Sequence, residues 1–280
     1  MSNGETMIQA NGVDLCVETF GDRADPAILL IHGASASMLW WDEALCERIA
    51  AGGRYVIRFD NRDTGRSVSY PPGKPDYAML DLVDDAIGIL DALNIARAHV
   101  VGQSMAGGIA ALAAMRYPDR VASLTLVATS PGGDDLPPIS VDLTGYVDDP
   151  EPDPADPDAV VEFIVGLMKA YSGGSPYYDE AAMRDLARRD IARTRDVAAC
   201  LTNHFVIDTG APDHYRLRDI EAPTLVVHGE LDPVFRIDHA HAMQRAISGA
   251  ELLVLERTGH EVPPQVWDVF VPALLRHTGG

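Results

Sequence analysis

Lysine is nearly missing from this chain: only Lys74 and Lys169 stand among 22 basic residues, against 42 acidic ones, for a net charge of −20 at pH 7. A surface so short of positive charge repels phosphate backbones and anionic membrane surfaces, which argues against nucleic-acid and membrane partners. Cysteine is scarce too. Cys16, Cys46 and Cys200 are widely spaced and odd in number, so neither a disulfide framework nor a paired metal knuckle is implied. They read as buried small hydrophobes in a reducing compartment. No apolar run approaches the roughly 20 residues that span a bilayer, and the polar start MSNGETMIQA lacks the basic-then-apolar pattern of a secretory signal. The expectation is a soluble, cytoplasmic protein. Phosphate loops are absent as well, since GGRY and SGGS do not match one, and no histidines have HExxH spacing. His239 and His241, two apart on a predicted helix, face different ways. No metal and no cofactor are expected.

What is present is a regular alternation. A chain of 280 residues can bury a large core as one compact domain with an insertion. Residues 13–20 (VDLCVETF), 27–32 (AILLIH), 54–60 (RYVIRFD), 98–102 (AHVVG) and 121–129 (VASLTLVAT) read as strands. Helical spacing fills 38–53, 80–95 and 106–118, the last stopped by Pro118. Strand and helix in alternation imply a parallel sheet covered on both faces.

From 131 to about 157 the pattern breaks into Pro, Gly and Asp, which hold neither a helix nor a central strand. Helical segments follow at 159–173 and 179–201, with a short piece near 214–220. Strands resume at 222–230 and 251–256, with a helix between them and QVWDVFVPALLRHT as a terminal helix. The expected division is a sheet core of residues 1–132 and 216–280 carrying a helical cap at 133–215. The basic stretch RDLARRDIARTR (184–195) alternates with acids at three- and four-residue spacing and reads as a solvated helix face, with attraction of an anionic substrate as the alternative.

The stretch VVGQSMAGG (100–108) sits where one of these strands turns into a helix. Such a turn strains the backbone of Ser104 and lifts its hydroxyl above the sheet edge. The positions two before and two after the serine must be small. Gly102 meets that demand, Ala106 adds one methyl, and Gly107 and Gly108 keep the first helical turn thin. Valine at 106 is expected to crowd Gly102. A serine alone is a poor nucleophile and needs a histidine base with a carboxylate behind it. Asp232 in HGELDP and His260 in RTGHEVP both fall just past strands, on the sheet edge that presents Ser104. In IHGASASMLWW, again after a strand, the Ala34 amide would join that of Met105 as an oxyanion donor. His32 reads as a loop-stabilising residue, and Trp40 or Trp41 as packing, with Trp40 the candidate at the pocket mouth. Phe163, Leu167, Met168, Tyr171, Tyr177, Tyr178 and Phe205 are the candidate cap residues for lining a substrate pocket.

Taken together, IHG at 31–33, DNRDTGRS at 60–67, GQSMAG at 102–107, the Asp232 loop and Gly259-His260 resemble the α/β-hydrolase superfamily. The RDTGRS stretch and the GHEVPPQVWDVFVPALLRHT ending are similar to bacterial esterases of the aclacinomycin methylesterase kind. The resemblance implies an α/β-hydrolase fold, a mostly parallel sheet flanked by helices, with a helical cap inserted after the sixth strand. It also implies hydrolysis of a carboxylic ester without a cofactor. The superfamily often has glycine where Asp63 stands, and the cap sequence has no match. A serine nucleophile disfavours haloalkane dehalogenases and epoxide hydrolases, which use aspartate there. The expected activity is hydrolysis of a small to medium ester, methyl ester or lactone through an acyl-enzyme at Ser104. Carbon–carbon bond hydrolysis and thioester hydrolysis use the same triad, and a ligand receptor with little turnover is the alternative from another class. The expected partner is a small-molecule ester, with a homodimer open.

Overall fold

The computed structural model describes residues 2–130, 136–137, 152–210 and 215–279. Four strands are buried at every position: β3 (Ala27–Ile31), β4 (Tyr55–Phe59), β5 (Ala98–Gln103) and β7 (Thr224–Gly229). Apolar runs without alternation belong at the centre of a sheet covered on both faces. With β1 (Ser2–Ala10), β2 (Val13–Phe20), β6 (Val121–Val127) and β8 (Glu251–Leu255), they form one eight-stranded sheet in the order β1-β2-β4-β3-β5-β6-β7-β8. All pairs from β4 to β8 are parallel, while β2 runs antiparallel to both β1 and β4.

Strand β1 has no counterpart among the strands expected from the pattern. It is largely exposed, so it carries no apolar signature. The signal lay in its turn: Asn11 and Gly12 both have positive φ, +46° and +78°, the Asn-Gly geometry that suits a two-residue hairpin.

Helices α1 (Glu43–Ala51) and α8 (Trp267–His277) cover one face, packing Leu45, Ile49, Phe270 and Leu274 with Trp41. The other face carries α2 (Met79–Ala92), α3 (Met105–Arg116) and α7 (Ile237–Ala246), through Leu82, Ile89, Ile109 and Met243. Between β6 and β7 stand α4 (Pro157–Tyr171), α5 (Glu180–Arg193) and α6 (Val197–Thr202), where Val160, Ile164, Ala187 and Ile191 form a separate apolar cluster. Most of 131–157, expected to be irregular, and position 133, the expected start of the cap, lie outside the described residues.

Capping explains two boundaries that periodicity blurred. The run 38–53 divides into a 3-10 turn at 38–40 and α1, because the Asp42 carboxylate accepts the Ala44 amide at 2.7 Å and starts a new helix. Residues 179–201 likewise divide into α5 and α6. There Asp196 accepts the Ala199 amide at 3.0 Å, after Thr194 has turned extended.

Candidate active site

Ser104 joins β5 to α3 with φ +55° and ψ −126°, a region an L-residue enters only when its surroundings over-determine it. They do so here: the Ser104 amide donates to the Val127 carbonyl at 3.0 Å, and its own carbonyl accepts from Gly107 N at 2.9 Å and Thr129 Oγ1 at 2.6 Å. A side chain at Gly102 would drive into the Ala106 carbonyl, and one at Gly107 into Thr129. Gly108 instead faces open space, so it is not required for a thin turn. Ala106 is fully buried in the apolar cluster beneath α3. What presses on Gly102 is the Ala106 backbone, so its methyl is tolerated.

The residues 156 and 28 positions apart from one another meet above this turn. His260 Nε2 lies 2.9 Å from Ser104 Oγ, and His260 Nδ1 lies 2.8 Å from Asp232 Oδ2. The other Asp232 oxygen accepts the Val234 and Phe235 amides at 2.8 and 3.0 Å. Burial opposes ionisation of this carboxyl, but His260, His228 and the Phe235 amide outweigh it and hold its pKa below the usual carboxylate range. His228, fully buried behind Asp232, donates from Nε2 to the Phe235 carbonyl at 2.6 Å and braces that loop. The His260 amide donates to the Tyr171 carbonyl at 3.0 Å, and its carbonyl accepts from Gln103 Nε2 at 3.2 Å. The rings of Tyr171 and Phe235 stand 5.4 and 5.6 Å from the imidazole.

The loop after β3 closes on the serine from the opposite side. A Cβ on Gly33 would lie 2.8 Å from the Ser104 Cβ, so only glycine allows this approach. Among the described residues the amides of Ala34 and Met105 have no hydrogen-bond partner. His32 is buried beside Trp40 and Trp41, both 5.8 Å between ring centres, and its carbonyl accepts from Asn61 Nδ2 at 3.1 Å. Burial, with a contribution from His260, pushes its pKa down to about 3, so it stays neutral and serves to shape the loop.

The candidate lining residues separate. Tyr171 reaches the site. Trp40 is half-buried and donates from Nε1 to Asp190 Oδ2 on α5 at 2.6 Å, while Trp41 packs into the core. Phe163 and Met168 pack on the α4–α5 cluster, and Leu167 is half-buried on the same helix. Tyr177 lies against the α1–α8 cluster under Arg257, and the Tyr178 hydroxyl donates to the Val165 carbonyl at 2.7 Å. Phe205 contradicts its expected role: it is 69% exposed. The 3-10 turn Asn203–Phe205 spends its inward positions on Asn203 and His204, which are buried and hydrogen-bonded, so the next side chain points out. Phe235 was missed because only the Asp232 turn brings it to His260.

Basic residues on α5 also divide. Arg184 pairs with Glu162 and Glu180 at the surface, but Arg193 is buried and reaches Asp60 at 2.9 Å and Glu5 at 3.0 Å. Asp63 has φ +63°, which accounts for the glycine common at that place. Its oxygens accept from Ser69, Tyr70 N, Tyr77 and Asn203, a set that holds the strained residue. Among the described residues no group of three or more His, Cys, Asp or Glu side chains is arranged to hold a metal ion, and no helix is long and apolar enough to cross a membrane.

Sheet order and site together define the class. Residues 26–264 match the family model described as the alpha/beta hydrolase fold, so the chain belongs to that family and is a hydrolase. Its relatives include the rhodomycin D methylesterases of a Streptomyces species and of Streptomyces peucetius, each 30% identical over 97% of this chain and 97% of their own length. Among solved structures, a meta-cleavage product hydrolase from Pseudomonas fluorescens is similar with a TM-score of 0.77 at 22% identity, covering 98% of this chain and 97% of that one. An enol-lactonase from Burkholderia xenovorans gives 0.76 at 22% identity, covering 98% and 100%. At such identity the likeness shows a shared fold.

Proposed function

We propose that the chain hydrolyses a carboxylic ester, with a methyl ester the favoured class, through an acyl-enzyme at Ser104. The observation that carries this reading is the unbroken hydrogen-bond chain from Ser104 through His260 to Asp232, at 2.9 and 2.8 Å. His260 Nε2 takes the Ser104 proton as Oγ attacks the carbonyl carbon. Asp232, ionised and anchored by two amides, holds the imidazole in the Nδ1–H form and stabilises its cation. The amides of Ala34 and Met105 donate to the oxyanion, helped by the positive end of α3. Collapse breaks the bond to the alcohol oxygen, which takes the proton from His260. Water activated by the same ring then attacks the acyl carbon and releases the acid and Ser104.

In this reading helices α4, α5 and α6, between β6 and β7, serve as the cap over the sheet, and the cap selects the acyl group through Tyr171, with Trp40 at the pocket mouth. The relatives named as methylesterases over nearly their whole length support the substrate class. Three free, buried cysteines support residence in a reducing cytoplasm. Turnover of p-nitrophenyl acetate and of aromatic methyl esters, with labelling by a fluorophosphonate probe, tests the reading. Ser104→Ala should lose both, with kcat falling at least about a thousandfold. Unchanged turnover in that variant refutes the assignment; labelling of the unsubstituted protein without turnover on a broad ester panel favours a receptor.

A further inference from the structure

The loop carrying Ala34 is gripped by a distant part of the chain. Ser35, the next residue, has φ +56°. Its amide donates to Nδ1 of His204 at 3.1 Å, and its carbonyl lies 3.6 Å from the Cys200 thiol. Both partners belong to α6 and the 3-10 turn after it, more than 160 residues downstream. On the other side of the ring, His204 Nε2 donates to the Arg62 carbonyl at 2.9 Å. A ring nitrogen that accepts an amide proton carries none itself, so His204 is the neutral Nε2–H tautomer. Burial lowers its pKa despite the opposing Arg62 bond and Asp63, which keeps that form at neutral pH.

We propose that His204 is a positioning residue for ester hydrolysis, accepting the Ser35 amide so that the adjoining Ala34 amide is aimed at the oxyanion. The proposal rests on the reading of Ala34 as an oxyanion donor. The peptide units bearing the Ala34 and Ser35 N–H groups share the Ala34 α-carbon. If Ser35 loses its acceptor, its half-buried N–H turns toward another, and the neighbouring unit turns with it. Nothing else in the loop holds the Ala34 amide, which has no partner of its own among the described residues. A donor displaced by about 1 Å costs up to roughly 100-fold in rate.

Two substitutions divide the two bonds of the ring. In His204→Asn the amide oxygen takes the place of Nδ1 and still accepts from Ser35; in His204→Gln the amide nitrogen takes the place of Nε2 and still donates only to Arg62. Each loses one hydrogen bond, so thermal midpoints should fall alike. For p-nitrophenyl acetate, kcat should fall about tenfold or more in His204→Gln with KM within about threefold, and His204→Asn should recover most of it. Equal kcat losses in the two variants, or no loss in either, overturn the proposal. Should the variants fail to fold, 15N NMR of the unsubstituted protein decides: a proton on His204 Nδ1 at pH 7 overturns it, and the Nε2–H tautomer supports it. Failure of the esterase reading looks different, since the unsubstituted protein then lacks Ser104-dependent turnover altogether, which overturns both.

Discussion

Gly102 and Ala106 flank Ser104 symmetrically in sequence but not in space. A methyl on Gly102 points into the Ala106 carbonyl and lies 2.8 Å from Ala110 Cβ, whereas the methyl already on Ala106 points into the core. Gly102→Ala should therefore distort the elbow itself, with kcat falling at least about 100-fold. Gly33→Ala should behave similarly because its Cβ meets Ser104. Ala106→Gly should stay active. In Ala106→Val the expected crowding of Gly102 gives way to overpacking of the core, costing about 1–3 kcal/mol in urea unfolding while the folded fraction turns over normally. Gly108→Ala meets nothing within 4 Å inside a helix and should gain about 0.5–1 kcal/mol. The elbow was legible because a serine held on a sharp turn between a strand and a helix has a spaced, small-residue signature. Which glycine bears the crowding depends on where each missing methyl points, and that is a property of three dimensions.

Helix α5 shows what a helical pattern leaves open. Its arginines repeat with acids at three- and four-residue spacing, and for Arg184 the solvated-face reading holds. Arg193, same in type and spacing, turns inward to Asp60 and Glu5 because the chain after β4 lies against the end of α5, where the Arg195 amide also bonds the Gly65 carbonyl at 2.9 Å. Asp60 is completely buried, so Arg193→Met leaves its charge facing an apolar side chain. The expected loss is about 3–5 kcal/mol, read as a lower urea midpoint. Arg188→Met, on an exposed pair with Asp185, should change stability by well under 1 kcal/mol.

At the scale of the molecule, burial lowers the pKa of six histidines among the described residues: His32, His99, His204, His228, His239 and His277. Below pH 6.5 the unfolded chain binds protons that these folded rings refuse, so stability falls as pH falls. The window runs from 6.5 down to about 3 for His32 and to about 4 for His99. Three buried carboxyls oppose the trend. Glu261, raised to about 7 by burial, holds a proton in the folded state from there down to 4.5, and Asp85 and Asp190 are raised as well. The histidines outnumber them, so urea unfolding should show lower stability at pH 5.5 than at pH 7.5. His32→Gln should flatten that slope by at most about 1.4 kcal/mol per pH unit; an unaltered slope would count against the neutral, buried ring.

Apolar periodicity alone carried the order of the strands after β1 and of the long helices between them, though not the breaks at Asp42 and Asp196, and with that order the loops that bring Ser104, Asp232 and His260 to one sheet edge. Periodicity reports burial faithfully where an element is long and regular, and a residue just past a parallel strand has only one edge to occupy. The tertiary structure alone decided the partners of His204, Asp190 and Arg193 and the outward turn of Phe205. A buried polar group is stable only where a distant backbone or side chain satisfies it, and short irregular segments leave no periodic trace of where that partner will be.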